Sequence, residues 1–110
     1  MNNQWIYKFS KLSQKDMQKI DRQIELRVYN VLDRVILNPL PKSEGGYGNP
    51  LHKPLQNCFK IKLKADGVRV TYKIDREHKE IHIIVIGPRN DNEAYDETER
   101  RLALDLEYDL

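Results

Sequence analysis

The spacing of apolar residues along the chain predicts strands and helices in a definite order. Residues 4–9 combine aromatic and β-branched side chains and predict a first strand. Apolar side chains then recur at steps of three or four from Met17 to Val35, which is the spacing of one helix face. Ser13 is predicted to cap this helix, and Asp21 could cap a second one. One long helix and a bent helical hairpin are therefore both allowed.

The second half of the chain predicts a long irregular connection followed by strands. Residues 38–56 hold four of the five prolines and three of the five glycines, so this connection is expected to be either mobile or functional. Three strand-like runs follow, at 58–64, 68–74 and 80–86. Ala65-Asp66-Gly67 predicts a tight turn between the first two runs, with Gly67 available for a positive φ. Asp91 is predicted to cap a last helix that ends near Leu102.

The resulting order, β-α(α)-β-β-β-α, predicts an α+β fold with a mainly antiparallel sheet and helices packed on one face. A length of 110 residues suits a single domain over residues 1–110. No apolar run approaches the roughly 20 residues that span a bilayer, and the N-terminus does not resemble a signal peptide. A single cysteine excludes an internal disulfide. We therefore expect a cytoplasmic protein with no membrane partner.

The net charge of +2 conceals an uneven distribution along the chain. Residues 91–110 carry eight acidic and two basic side chains, or −6, whereas the first 90 residues carry 17 basic and nine acidic ones, or +8. A basic segment of this kind is typical of proteins that bind nucleic acid or an acidic protein partner.

Much of the positive charge falls on one predicted hairpin. In the run from Cys58 to Leu63, Lys60 and Lys62 alternate with apolar residues, so they share one face of the strand. If the hairpin turns at Gly67, Arg69 lies on the same face. Crowded like charges repel, so this face either binds an anion or is an ordinary solvated surface. The residues alone leave both interpretations open.

Other candidate chemistry is sparse. Arg89 follows a buried strand, where an arginine fork is suited to a phosphate or is simply a surface group. Tyr95 lies in an acidic helix and could stack on a nucleobase or pack against the sheet. The three histidines lack metal-ligand spacing, and His82 is expected to be a hydrogen-bonded strand residue. Cys58 is expected to be a small buried residue. We therefore expect neither a metal nor a cofactor.

Four segments together carry a family resemblance: PLQNCFKIKL at 54–63, GVRVTY at 67–72, VIGPR at 85–89 and EAY at 93–95. They closely resemble the RelE toxins of bacterial type II toxin–antitoxin modules, and the predicted element order agrees. The resemblance is densest over residues 54–101. The Pro/Gly connection at 41–50 looks longer than is usual in that family.

The resemblance implies an endoribonuclease that cuts mRNA in the ribosomal A site and inhibits translation. In that family the 2′-hydroxyl of the messenger attacks the adjacent phosphate, leaving a 2′,3′-cyclic phosphate and a free 5′-hydroxyl. Lys62 matches the lysine proposed as general base, and Arg89 matches the arginine placed at the leaving 5′-oxygen. Lys60 and Arg69 match groups that neutralise the phosphorane. Tyr95 matches an aromatic residue that stacks on a base.

The resemblance also implies partners: an acidic RelB-like antitoxin, the 30S A site with its mRNA, and operator DNA contacted only through the toxin–antitoxin complex. Asp91 stands where the family often has a second basic residue, so no phosphate contact is expected from that position. The alternative is a ParE-like toxin that inhibits DNA gyrase by protein contact without nuclease activity. Such chains typically lack the combination of lysine pair, loop arginine and C-terminal tyrosine that this sequence carries.

Overall fold

The computed structural model describes residues 4–51, 55, 57–87, 90–104 and 108–109. The strands and helices of this part are β1 (Ile6–Ser10), α1 (Lys11–Lys19), α2 (Arg22–Val35), β2 (Asn49–Pro50), β3 (Cys58–Leu63), β4 (Val68–Asp75), β5 (Glu80–Ile86), α3 (Asp91–Leu102) and β6 (Tyr108–Asp109). Single 3-10 turns lie at Lys42–Glu44 and Lys64–Asp66. No helix of these described ranges is long and apolar enough to cross a membrane.

The sheet has the strand order β2-β3-β4-β5-β1-β6. β3, β4 and β5 form the predicted antiparallel meander, and β1 pairs with β5 in parallel. The α+β fold with a mainly antiparallel sheet is therefore confirmed. The place of β1 beside the last strand of the meander was not predicted, because strand pairing is a long-range choice that periodicity does not report.

The main core lies between α1, α2 and one face of the sheet. Val28 and Leu32 of α2 are fully buried together with Val70, Tyr72 and Ile83. The prediction that helices pack on one face holds for α1 and α2. Helix α3 lies over the opposite face, where it contacts the side chains that alternate with this core along β3 and β4.

The predicted helical segment is a bent pair of helices. Ser10, rather than Ser13, caps α1 and accepts a hydrogen bond from the Ser13 amide at 3.1 Å. Asp21 caps α2 as predicted, accepting from the Ile24 amide at 3.0 Å. Ile20 and Asp21 both have extended backbone, so the helix cannot run through them.

The long connection after α2 packs against the sheet. The Tyr72 hydroxyl donates to the Pro39 carbonyl at 2.9 Å, and Arg76 holds Glu44 through two hydrogen bonds of 3.1 and 2.8 Å. Leu51 and Leu55 are buried in a second, smaller cluster with Cys58. The connection is thus tied to the meander at several points along its length.

Candidate active site on the cationic face

The hairpin of β3 and β4 brings three of the predicted site residues together on one face of the sheet. Lys62 lies directly opposite Arg69 in the antiparallel register, and Lys60 lies opposite Thr71. Gly67 closes the turn with φ of +66°, a left-handed conformation that glycine adopts without strain. We call the half-buried group formed by Lys60, Lys62 and Arg69 the cationic face.

The position of the hairpin tip is fixed by an ion pair with α2. Arg27 donates two hydrogen bonds to the Asp66 carboxylate, at 2.8 and 2.6 Å. A bidentate arginine–carboxylate pair restrains orientation as well as distance. The turn that sets the Lys62–Arg69 register is therefore held to the helical layer.

Tyr95 of α3 joins the cationic face through its hydroxyl. The Lys60 ammonium donates to the Tyr95 hydroxyl at 2.5 Å and lies 5.2 Å from the ring centroid. The distance to the centroid exceeds the distance to the hydroxyl oxygen by about the length from a tyrosine hydroxyl oxygen to its own ring centre, so the three points lie nearly on one line. The ammonium therefore lies beyond the hydroxyl end of the ring instead of above its face, and the contact is a hydrogen bond rather than a cation–π interaction.

The ring of Tyr95 also packs against the second cluster, formed by Leu51, Leu55 and Cys58. Of the two interpretations allowed by the sequence, packing against the sheet is observed, and stacking on a base stays a prediction. Deeper under α3, the hydroxyls of Thr71 and Thr98 are fully buried and hydrogen-bonded to each other at 2.7 Å. This hydrogen bond holds α3 against β4.

The far end of α3 is tied to the rest of the fold by Arg101. This side chain is only 9% exposed and donates to both oxygens of Asp16, at 2.7 and 3.0 Å. It also donates to Glu97 at 2.6 Å and to the Ile84 carbonyl at 2.7 Å. Asp16 additionally accepts from the Ile86 amide at 3.0 Å. One arginine thus links α3, α1 and the end of β5.

The same network predicts an acid-sensitive contribution to stability. Hydrogen bonds from Arg100, and then from Arg101, lower the pKa of Glu97 to about 2. Because the unfolded chain binds this proton more tightly, the stabilisation is complete above the ordinary pKa of glutamate and is lost as pH falls towards 2. We expect wild type to be more stable than Glu97→Gln near neutral pH. This difference in the free energy of unfolding, measured by urea titration, should decrease as pH falls from the ordinary pKa of glutamate towards 2. A difference that is the same at neutral pH and at low pH would contradict the prediction.

Arg89 lies outside the described residues, so the fourth predicted cation has no described position. The end of β5 that precedes it lies beside the cationic face, because the Gly87 amide donates to the Arg69 carbonyl at 2.9 Å. Helix α3 begins at the Asn90 cap, whose side chain accepts from the Glu93 amide at 2.8 Å. The predicted cap was Asp91, one residue further along.

Two residues set aside as structural behave as predicted. Cys58 is 1% exposed, and burial raises the pKa of its thiol, which keeps it in the unreactive protonated form. His82 is half-buried and lies 2.9 Å from the Glu80 carboxylate.

The sequence did not reveal that His82, Glu80 and Asp75 place three possible metal-ligand atoms within 4.8 Å of one another. Strand register creates this group, since Asp75 lies opposite Glu80 across β4 and β5. The Lys8 ammonium, 2.9 Å from Glu80, already supplies positive charge there.

The cationic face is suited to binding a compact anion. Its three cations come from one face of two adjacent strands, so the hairpin register holds their backbone attachment points close together. Fixed positive charge aimed at one point stabilises negative charge that develops on phosphoryl oxygens during a reaction. The geometry is therefore appropriate for phosphoryl-transfer chemistry on a polyanion.

Comparisons with known proteins identify the family of this chain. The model of the family described as "ParE toxin of type II toxin-antitoxin system, parDE" matches residues 7–93. The mRNA interferase toxin RelE of Escherichia coli K12 is 26% identical over 94 residues, covering 86% of this chain and 93% of that protein.

Solved structures with the same fold include RelE toxins alone and in complexes. A free double arginine-to-alanine variant of E. coli RelE superposes with a TM-score of 0.75 at 23% identity, covering 90% of this chain and 98% of that one. The toxin in the intact E. coli RelBE toxin–antitoxin complex gives a TM-score of 0.67 at 22% identity, covering 78% of this chain and 98% of that one. These likenesses establish the fold.

The family model, which matches residues 7–93, places this chain among the small toxins of type II toxin–antitoxin systems. Within that class the chain belongs to the RelE/ParE family and is a RelE-type member of it. The resemblance that rested on four sequence segments is thereby confirmed.

Proposed function

We propose that this toxin is a ribosome-dependent endoribonuclease that cleaves mRNA in the ribosomal A site. The observation that carries the proposal is the convergence of Lys60, Lys62 and Arg69 on one sheet face, with Tyr95 hydrogen-bonded to Lys60. The curated relative named mRNA interferase toxin RelE supports the same reaction class.

In the proposed reaction, the 2′-hydroxyl of one nucleotide attacks the phosphorus that follows it. A new P–O bond forms a 2′,3′-cyclic phosphate, and the bond to the 5′-oxygen of the next nucleotide breaks. Lys62 accepts the 2′-hydroxyl proton. The leaving 5′-oxygen, with Arg89 beside it, takes a proton from water, and Lys62 returns its own proton to solvent. Lys60 and Arg69 neutralise the non-bridging oxygens, where the negative charge concentrates.

The small size of the site explains why the ribosome is required in this proposal. The cationic face offers charge but little enclosure, and in-line attack needs the 2′-hydroxyl, phosphorus and leaving oxygen to be aligned. A messenger held in the A site would arrive with that alignment imposed by the ribosome. Tyr95 would then stack on a base and fix the orientation of that nucleotide.

We also propose that an acidic RelB-like antitoxin is the protein partner, because structures of RelE toxins with RelB antitoxins share this fold. The first 90 residues carry a net +8, which complements an acidic, partly disordered chain that folds on binding. Contacts with operator DNA would come from the antitoxin in that complex.

The test is primer extension on a translated mRNA after brief induction of the toxin, in the presence and absence of translation. We expect in-frame breaks that disappear when translation is blocked, because the ribosome supplies the alignment. Breaks that persist on free RNA would contradict ribosome dependence. Growth arrest with intact messengers and altered DNA supercoiling would instead assign a gyrase-directed, ParE-like activity.

A further inference from the structure

A second concave surface lies against the same lysine strand. It is a groove of about 500 Å³ between α2, the long connection with its strand β2, and β3. Its lining includes Arg34, Tyr47 and Lys64, together with Lys60 and Lys62 of the cationic face. The groove and the proposed active site therefore share Lys60 and Lys62, and β3 lies between them.

The groove is strongly electropositive. Four of its nine lining residues are lysine or arginine, and none is acidic. A second cavity of about 570 Å³, between α1 and α3, is lined by four acidic and three basic residues. A polyanion that reaches the cationic face is therefore attracted to the β3 groove more strongly than to the cavity between α1 and α3.

Tyr47 is an exposed aromatic residue whose backbone packs closely against residues 38–40. Its side chain is 52% exposed, whereas its amide donates to the Asn38 carbonyl at 2.9 Å. Glycines flank it on both sides. A Cβ at Gly46 would lie 1.9 Å from the Leu40 carbonyl oxygen, and one at Gly48 would lie 2.8 Å from the Pro39 carbonyl oxygen. Only glycine permits this close packing, so the backbone on both sides of Tyr47 is held against the connection while its side chain stays exposed.

An exposed aromatic ring beside clustered cations is the combination that binds single-stranded nucleic acid, since the ring stacks on a base and the cations contact phosphates. The groove also has an apolar floor, formed by Val31, Val35 and Ile61. Such a floor accommodates the flat faces of a base and sugar. The observations thus favour a nucleotide over an isolated phosphate ion.

We propose that this groove is a second RNA subsite, which binds a nucleotide next to the scissile phosphate of the same strand. Tyr47 stacks on the base, and Arg34 and Lys64 contact the flanking phosphates. The inference rests on the proposed function for its substrate and assigns a role to the long connection. Lys60 and Lys62 line both sites, so one RNA strand can occupy both by passing over β3 near Lys62, beyond the residues that pair with β2.

The experiment measures binding of a fluorescent single-stranded 2′-O-methyl RNA, which cannot be cleaved because its 2′-hydroxyls are blocked. In fluorescence anisotropy at low salt, we expect Tyr47→Ala to raise Kd about fivefold or more, and Tyr47→Phe to bind within about twofold of wild type. The double variant of Arg34→Ala and Lys64→Ala should reduce the slope of log K against log salt by about 0.7 per lost phosphate contact. Thermal unfolding checks that each variant is folded.

Arg22→Ala is the matched control, because Arg22 is a 79% exposed arginine at the other end of α2. It should leave affinity unchanged. No measurable binding by wild type, or equal affinity of wild type and Tyr47→Ala, would overturn the proposal. So would a Tyr47→Ala variant that binds polyglutamate more weakly but RNA as tightly as before, since the groove would then belong to an acidic polypeptide.

The outcome is separable from that of the proposed function. In-frame cleavage by wild type combined with unaltered RNA affinity of Tyr47→Ala would reject the groove alone. Intact messengers combined with weakened RNA affinity of Tyr47→Ala would reject the nuclease and leave the groove as an RNA-binding site.

Discussion

Replacement of Lys62 by alanine is expected to slow single-turnover cleavage of ribosome-bound mRNA by about 10²- to 10⁴-fold, the usual contribution of a positioned general base. Lys62 lies directly opposite Arg69 on the cationic face. Its removal takes away the proton acceptor and, with it, the cation that Lys62 becomes once it holds the 2′-hydroxyl proton. The measurement is cleavage at saturating toxin, which isolates the chemical step from binding.

Two further variants separate the roles of Lys62. Lys62→Arg keeps the positive charge but cannot accept a proton near neutral pH, so it should lose almost as much activity as Lys62→Ala. Lys73→Ala, which removes an exposed lysine from the neighbouring strand β4, should cleave at close to the wild-type rate. Undiminished cutting by Lys62→Ala or Lys62→Arg would exclude Lys62 as the base.

Arg101→Ala is expected to lower the free energy of unfolding by about 3–5 kcal/mol, the range for breaking a buried ion pair by removing one partner. The substitution leaves the Asp16 carboxylate, 12% exposed, without its arginine, and the Ile84 carbonyl without this donor. Urea unfolding followed by circular dichroism gives the value. Because Arg101 anchors the helix that carries Tyr95, cleavage should fall as well.

The neighbouring residue provides the control for Arg101. Arg100 also binds Glu97, at 2.5 Å, but its side chain is 59% exposed. An exposed ion pair contributes about 0–1 kcal/mol, so Arg100→Ala should lower the free energy of unfolding by no more than that and by much less than Arg101→Ala. Equal losses from the two substitutions would show that burial of the Asp16–Arg101 pair is not what stabilises α3.

Local features of the fold were predictable because they depend on neighbours in sequence. Alternation along Cys58–Leu63 was enough to place Lys60 and Lys62 on one face, and Gly67 was enough to locate the turn that brings Arg69 beside them. The cap at Asp21 indicated that a second helix was possible. The choice between one helix and two needed the packing of both against the sheet.

Contacts between distant segments were not predictable from the same patterns. The Asp16–Arg101 pair joins residues 85 apart, and nothing in either helix distinguishes these two charged residues from their solvated neighbours. The Lys60–Tyr95 contact joins residues that are 35 apart in sequence, one on β3 and the other on α3. Tyr47 was one aromatic residue in an irregular connection, and no local pattern relates it to the lysine strand.

The sequence by itself determined the first strand, the three strands of the meander, the helical segments, the cationic hairpin and the family resemblance, because periodicity, turn chemistry and short motifs act over a few residues. The short strands β2 and β6 were not predicted, and the division of the first helical segment was left open. Only the tertiary structure decided that β1 pairs in parallel with β5, that α3 covers the opposite face and brings Tyr95 to Lys60, and that Tyr47 borders a groove on β3. These choices depend on which buried surfaces and charges satisfy one another across the whole chain. That selection is made by the total free energy of packing and not by any local preference.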